Sequence, residues 1–509
     1  MITTSEAAHN AGYGWGVCLR FFVESESPVL ECFVLARCVG SREIQRVRES
    51  IVVDTSELRS VVGGLLEPGD AGFDEARALW NMRFDRRPDL IVRCRSGGDV
   101  AASVDFAREQ GLRLSVKGGG HSYAANSVAD GGLLIDLSLM KAVAIDTEAR
   151  TVTVEGGVTC AELDAATQER GLATPTTTVS SVGVIGAALG GGGGYLSRKY
   201  GLMVDNMISA EVVTADGRQL RAASDENADL FWALRGGGGN FGVVTSLELR
   251  LHELGPQVLS GQIIYPFDRA GELLRRFRDF MVEAPEDFQC YPFCFRVPPI
   301  DLFPEETHGK PVVDFVVLHQ DPEAADFVEH EFVAPLRKFG EPILEEARLS
   351  RYVDAQTGFD ANMPKGQRYI SKAHDLNGLS DGAIDTMVEF VPRMVGPLTA
   401  AYFDPLGGAV GRVDPSATPY AGRNTTFGFH CIAGWMDPAE DESIIGWASE
   451  FHDAMTAHAT GGVYVNLIAD DETHRIASAY GPNYTRLIEL KQRWDPANLF
   501  NSNYNIPPN

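Results

Sequence analysis

The stretch VKGGGHSYAANS at 116–127 places His121 directly behind three glycines, and two further glycine clusters follow, Gly190 to Gly194 and Gly236 to Gly239. Glycine lets backbone N–H groups approach an anion closely and lets the chain take positive φ, so such loops can grip a diphosphate without a lysine. Three of them in one chain predict a large phosphate-bearing cofactor, with His121 facing its ring system. Upstream, LIVRC at 90–94 is apolar enough for a buried strand, and Gly98-Asp99 open a helix that closes at Gly111, so a strand-helix-strand unit delivers the chain to the loop. Downstream, LLIDLS and TVTVEGG read as short strands, and Thr159 with Glu162 forms a capping box on a helix that ends at Gly171.

Farther along, AEVVTADGRQLRAAS alternates around Asp216-Gly217, which predicts a two-residue hairpin turn. Ser224 or Asp225 then caps a short helix through Trp232, and VVTSLELRL at 243–251 is the next strand. Longer alternating stretches, VVDFVVLH at 312–319 and TFGFHCIAGW at 426–435, predict a second sheet with its own helical cover. At the C-terminus Tyr484, Leu487, Ile488, Lys491 and Trp494 share one helical face, ended by Asp495-Pro496. The fold class is mixed α and β.

Composition narrows the function. A formal charge of −26, from 70 acidic against 44 basic residues, repels phosphate backbones, and Arg83, Arg86 and Arg87 are diluted by Asp85, so nucleic acid is not a partner. The 8 cysteines include no CxxC, and Cys290 with Cys294 has no second ligand pair nearby, so no metal is expected. Residues 28–39 are apolar but interrupted by Glu31 and Arg37 and too short to span a bilayer, and Glu6 stands where a signal peptide carries positive charge. A cytoplasmic protein without membrane contact follows as the expectation. Residues 1–50 show no period, and 1–75 read as an N-terminal extension. No feature specifies an oligomeric state.

Gly190 to Gly194 lacks the lysine and Ser/Thr of a Walker loop, and TTTVSSVGVIGAALG ahead of it is a run of small residues without a ribose-binding acid, so neither a P-loop nor a Rossmann turn fits. His121 beside such loops can act as base, ligand or covalent attachment point; spacing does not choose among these.

GGGHS at 118–122, GLATPTTTVSSVGVIGAALGGGGGYLSRKYGLMVDN at 171–206, LFWALRGGGGNFGVVTSLELRL at 230–251 and YGPNYTRLIELKQRWDPANLFNSNYNIPP at 480–508 together resemble the berberine-bridge-enzyme-like branch of the FAD-linked oxidases, in the vanillyl-alcohol oxidase superfamily. The resemblance covers about residues 75 to 509. It implies an α+β fold: a PCMH-type FAD-binding domain of two α/β subdomains at 78–254, a substrate domain at 255–459 with an antiparallel sheet covered by helices, and a C-terminal segment, 460–509, returning to the FAD domain. It implies FAD bonded through its 8α-methyl to His121, surrounded by Gly118, Gly119, Gly120, Ser122, Val179, Gly183, Gly186, Gly190, Gly191, Gly192 and Tyr195, with Asn240, Gly242 and Val243 from the third cluster and Asn503 and Asn505 from the tail. Bicovalent relatives carry a cysteine where Val179 stands, so a second tether is not expected, and Cys94 and Cys160 lie in the wrong segments to supply one.

The implied reaction is FAD-dependent removal of a hydride from a C–H beside oxygen or nitrogen of a sugar, secondary-metabolite alcohol or amine, with O2 as acceptor. Alternatives are a dehydrogenase with another acceptor and a flavin carrier without turnover. Many relatives place a tyrosine base where this chain has Leu467. Read as a strand, GGVYVNLIADD at 461–471 puts Tyr464 and Asn466 on one face and Val465 and Leu467 on the other. In AAYFDPLGGAVGRV at 400–413, Tyr402 and Asp404 share a face if the segment is a strand; a carboxylate there can accept a proton, and the alternative is an exposed loop acid before Pro405. His430 is a third candidate, its alternative a hydrogen-bonded core histidine.

Overall fold

Strand-helix-strand periodicity from residue 90 onward produces the first sheet of the computed structural model, which describes residues 54–320 and 333–509; the reading of residues 1–50 lies outside the described residues. The order is β1 (Leu65–Leu66), β2 (Leu90–Arg93), β4 (Leu133–Asp136), β3 (Leu114–Lys117). β2 and β3 both pair parallel to β4, as the intervening helix Gly97–Gln110 requires. Ser96 caps that helix on the Asp99 amide, and Gly111 closes it at φ 64°. Residues 65–66 and the helix Phe73–Arg77, counted with the extension on sequence grounds, pack on this sheet: Leu65 and Leu66 pair with Val92 and Ile91.

A second sheet runs β5 (Val143–Asp146), β6 (Thr151–Glu155), β10 (Val243–Arg250), β8 (Met207–Val213), β9 (Gln219–Ala223), all antiparallel. Its β8–β9 turn differs from the two-residue reading: Thr214 N–H bonds Arg218 O and Gly217 N–H bonds Thr214 O, with Gly217 at φ 78°. The loop is therefore Ala215-Asp216-Gly217, the three-residue form in which glycine takes the left-handed position. The following helix is Ala228–Leu234, preceded by Asn227 at φ 49°, and not a helix capped by Ser224 or Asp225. Ala223 and Glu226 bond each other's backbone, so the residues between them form a tight turn before the helix starts. A short ladder, β7 (Leu172–Ala173) with β11 (His252–Glu253), closes this region.

The third sheet has seven strands in the order β15 (Leu344–Arg351), β12 (Gln257–Pro266), β14 (Pro311–His319), β13 (Phe288–Arg296), β17 (Ala400–Pro405), β18 (Phe427–Trp435), β16 (Arg368–Leu376). Period-2 alternation sorts its side chains. Cys294, Phe315, Val317, Phe403, Phe429 and Trp435 face the helices Ala270–Glu283, Asp381–Phe390 and Asp441–Met455, which contribute Phe277, Met387 and Phe451 to the same buried cluster. Full burial contributes about 1.5–3 kcal/mol for each such side chain. The other face carries Asp314, Phe293, Tyr402 and His430 in one row, Asp314 opposite Phe293, Phe293 opposite Tyr402 and Tyr402 opposite His430.

The helix Cys160–Gln168 starts with the capping box read from the sequence: Glu162 N–H donates to Thr159 Oγ1, and Thr159 N–H donates to the Glu162 carboxylate. Its inner face buries Asp164, whose carboxylate accepts from Thr176 Oγ1 at 3.2 Å and is pushed up to about 8 by burial. Because that value lies above the unfolded one of about 3.9, the group's stabilisation is complete below about pH 4 and is lost as pH rises toward 8. Asp164→Asn is accordingly expected to shrink the fall in Tm between about pH 5 and pH 8; an unchanged pH profile of Tm overturns this assignment.

Candidate active site

The outward row of the third sheet and the glycine loops face each other across one cavity of about 880 Å³, in the upper part of the ~300–1,000 Å³ range of small-molecule sites. Gly118, Gly119, Gly120, His121 and Ser122 line it, with Val179, Gly183 and Gly186 beside them. The two loops touch: a Cβ on Gly183 would stand 2.6 Å from Gly119 N, and one on Gly119 would run into Gly183 N. Among the described residues, none of the backbone N–H groups of Gly119 to Ser122 has a protein acceptor. A row of unpaired amides at the end of β3 forms an anion-binding concavity.

Trp80 stacks on the His121 ring with centroids 4.7 Å apart and on Tyr369 at 3.9 Å, holding the imidazole from behind. Ser181 Oγ lies 2.8 Å from His121 Nε2, which leaves Nδ1 as the unengaged nitrogen. Burial, assisted by the Lys365 charge, pushes the imidazole down to about 4, so it is neutral near pH 7. Trp80 sits in none of the motifs, and nothing within the 171–206 stretch singles out Ser181; only their approach in space connects them to His121.

Other residues of the glycine reading stand one layer back. Gly190, Gly191 and Gly192 do not line the cavity; added Cβ atoms there would meet Asn466, Tyr464 and Met203 respectively. Their lack of side chains admits those neighbours. Tyr195 is also off the cavity, edge-on to Tyr291 at 5.6 Å in a buried aromatic cluster. Asn240, Gly242, Val243 and Asn503 line it, whereas Asn505 does not. The Oδ1 atoms of Asn503 and Asn505 and the Tyr480 hydroxyl are buried without hydrogen-bond partners among the described residues.

The tail is pinned by a buried ion pair. Lys491 Nζ donates to Asp495 Oδ2 at 2.7 Å, Asn240 O at 2.8 Å and Phe500 O at 2.9 Å. Asn240 in turn donates to Tyr504 O and accepts from Ile506 N–H. Lys491→Met leaves Asp495 buried and uncompensated, so a loss of about 3–5 kcal/mol is expected; urea unfolding with a loss under 1 kcal/mol overturns it.

The opposite wall carries the proton chemistry. β17 is the strand that places Tyr402 and Asp404 on one face, both toward the cavity, and Pro405 ends it within the sheet, so Asp404 is not a loop acid. Asp404 has no hydrogen bond or ion pair among the described residues, and burial pushes it up to about 7. His430 lines the cavity with its ring centroid 4.8 Å from that of Tyr402; its Nδ1 is buried and unpartnered, and burial lowers it to about 3. The expected alternative of a hydrogen-bonded core histidine is therefore corrected. Alternation on β18 sends Phe429 and Cys431 to the core and His430 to the cavity. Gly428 makes room for it, since a Cβ there would meet His430 Nε2 and lie 3.6 Å from Asp404 Cβ.

Residues 461–471 are not a strand. Val465–Leu467 form a 3-10 turn, and Tyr464 through Leu467 all line the cavity. Gly192 N–H and Asn466 Nδ2 both donate to the Tyr464 hydroxyl at 2.8 Å, and Asn466 also donates to Ala187 O. These tethers to the glycine loop replace strand pairing. Burial pushes Tyr464 up to about 12, so it keeps its proton and can donate but not act as base near neutral pH.

The unpaired amides, the unpartnered asparagine oxygens and the Cβ-free loops suit a long anionic cofactor with a polar ring edge. The family model described as "FAD binding domain" matches residues 88–223, and that described as "Berberine and berberine like" matches residues 463–507. The chain is 31% identical over 468 residues to the (R)-6-hydroxynicotine oxidase of Paenarthrobacter nicotinovorans, spanning 88% of this chain and 97% of that one. It is 28% identical over 452 residues to the xylooligosaccharide oxidase of Thermothelomyces thermophilus, spanning 83% and 87%. The crystal structure of 6-hydroxy-D-nicotine oxidase from Arthrobacter nicotinovorans superposes with a TM-score of 0.79 at 30% identity, over 88% of this chain and 98% of that one. Among the described residues no helix is long and apolar enough to cross a membrane, and no cluster of metal-ligating side chains occurs. With a cofactor cradle of this kind and relatives aligned along nearly their whole length, the chain belongs to the berberine-bridge-enzyme-like family of FAD-linked oxidoreductases.

Proposed function

We propose that this enzyme is an oxidase that takes a hydride from a C–H beside the nitrogen of an amine, with FAD attached through His121 and O2 as final acceptor. The observation that carries the reading is Asp404: a half-buried carboxyl, uncompensated by any cation among the described residues, facing the cavity beside His430 and Tyr402. An ionised carboxylate there holds an ammonium group and takes its N–H proton as the C–H electron pair departs, so the substrate leaves as an iminium or imine. FAD, held by the glycine loops, would supply the acceptor for that hydride and the route of two electrons to O2, with hydrogen peroxide as the second product. A nitrogen lone pair assists this loss without a strong base, which fits Leu467 in the place of a tyrosine. Neutral His430 orients the substrate through Nδ1, and Tyr464 donates its hydroxyl proton as a hydrogen bond from the other wall.

His121 supports single covalent attachment: its neutral ring is a nucleophile with Nε2 engaged by Ser181 and Nδ1 unengaged. Gly118 to Ser122, Val179, Gly183, Gly186, Asn240, Gly242, Val243 and Asn503 would hold the cofactor, with Gly190 to Gly192 and Tyr195 supporting from behind. In this reading residues 78–254 and 460–509 form the FAD-binding part, residues 255–459 cover it with the substrate wall, and the enzyme works in the cytoplasm.

Anaerobic mixing with matched panels of amines, alcohols and sugars tests the reaction. Amines are expected to bleach the yellow enzyme; bleaching by alcohols or sugars alone overturns the amine assignment, and no bleaching by any panel overturns oxidation itself. For the tether, acid-precipitated wild type is expected to keep its flavin on the His121 peptide, and His121→Ala to release it to the supernatant. A wild-type pellet that loses its colour overturns the attachment.

A further inference from the structure

A second carboxyl stands on the same wall. Asp314, 4% exposed on β14, lines the cavity, and its Oδ1 has no hydrogen-bond partner among the described residues. Burial pushes it up to about 8, and among the described residues no basic side chain pairs with it. Its neighbours across the strands are apolar, Ile264 and Phe293. An unpartnered carboxyl in such surroundings costs folding free energy on its own, and a ligand that donates to it removes that cost.

Sheet geometry sets its distance from Asp404. Asp314 on β14 is opposite Phe293 on β13, Phe293 is opposite Tyr402 on β17, and Asp404 lies two residues beyond Tyr402. Two strand spacings sideways and two residues along a strand put the two backbone positions about 12 Å apart. Between them lie the rings of Phe293 and Tyr402, centroids 4.3 Å apart and tilted, which form an aromatic bed. Ile300 and Leu302, among the exposed large hydrophobic residues at 48% and 46%, line the same cavity and make an apolar lip.

We infer that the cavity takes an elongated substrate with two amino groups, one at Asp404 beside the carbon that is oxidised and the other held by Asp314 at the far end of the aromatic bed. The inference rests on the amine reading at Asp404 and adds the remote anchor. Two uncompensated carboxyls on one wall, joined by an apolar surface, match the charges and body of a diamine. A monoamine fills only half of the pattern. Asp314 here is a specificity determinant that touches no reacting atom.

The test uses the loaded enzyme, octylamine and the α,ω-diamine of the same chain under anaerobic conditions, with affinity read from the ligand concentration that half-saturates the rate of flavin bleaching. Wild type is expected to bind the diamine about ten- to a hundredfold more tightly than the monoamine, the range for one added charge-assisted hydrogen bond. Asp314→Asn is expected to remove that advantage and leave octylamine affinity unchanged, while Asp404→Asn weakens both ligands. Asp314→Ser is a second variant, and an unchanged flavin spectrum and Tm verify the fold of each. Equal binding of the two ligands by wild type, or a diamine advantage that survives in both Asp314 variants, overturns the anchor but leaves the amine reading at Asp404. Octylamine affinity untouched by Asp404→Asn overturns the amine reading, and failure of both ligands to bind wild type overturns both.

Discussion

Asp404→Asn is expected to slow substrate-driven bleaching of the enzyme by about a hundred- to ten-thousandfold, the usual contribution of a positioned proton acceptor. The reason is local. The carboxyl lies half-buried on a sheet strand with no side-chain partner among the described residues, so none of them competes for the proton it would take. Burial raises it to about 7, and only its ionised form accepts a proton. In wild type the rate of bleaching is therefore expected to rise with pH and level off above about 7, and in Asp404→Asn this limb is expected to vanish. The mutant should keep its yellow colour and Tm, because a neutral amide replaces a carboxyl that burial already disfavours in its charged form. Stopped-flow bleaching under anaerobic conditions at several pH values checks both parts. A wild-type rate independent of pH across that range, or a mutant within threefold of wild type, removes Asp404 from the reaction.

Gly119→Val is expected to give colourless protein from flavin-replete cells. The 118–122 and 182–186 loops meet backbone to backbone, and a side chain on Gly119 would have to occupy the position of Gly183 N. Neither loop can yield cheaply. Gly183 precedes the helix Val184–Ala188, and Val184 N–H is bonded to Val158 O. Separating the loops would scatter the unpaired amides of Gly119 to Ser122 that make the anion cradle. The absorbance of the purified variant near the visible flavin bands, with far-UV circular dichroism to verify folding, is the measurement. A folded variant with a full flavin complement would show that the close contact between loops is dispensable.

Much of the fold was legible from local pattern. β2, the helix Gly97–Gln110 and β3 follow a strand-helix-strand period, the Thr159–Glu162 capping box starts its helix, and β14 and β18 follow their alternating runs. These signals are local because burial of one face and capping of one helix end act over a few residues. Residues 461–471 misled, since Tyr-Val-Asn-Leu alternates like a strand yet the chain bonds the neighbouring edge strand β16 only before it, Thr460 N–H to Asp375 O and Asp375 N–H to Gly462 O. Its tyrosine and asparagine instead bond Gly192 N–H in the glycine run and Ala187 O in the helix before it, and the segment makes a 3-10 turn. Asn227 was equally hidden, because a turn between Ala223 and Glu226 moves the helix start past the obvious Ser-Asp cap.

By itself the sequence determined the class of the cofactor, the histidine that lines the cavity and the alternating strands of the third sheet, because glycine loops and side-chain period are properties of short segments. Only the tertiary structure decided which polar groups share a cavity. Trp80, Ser181, Tyr369 and His121 come from separate segments, and Asp314, Tyr402, Asp404 and His430 come from three strands whose register is set by pairing. Burial likewise decided their protonation: the same Asp and His side chains titrate near their ordinary values in water, and it is removal from water without a compensating partner that raises Asp314 and Asp404 and keeps His121 and His430 neutral.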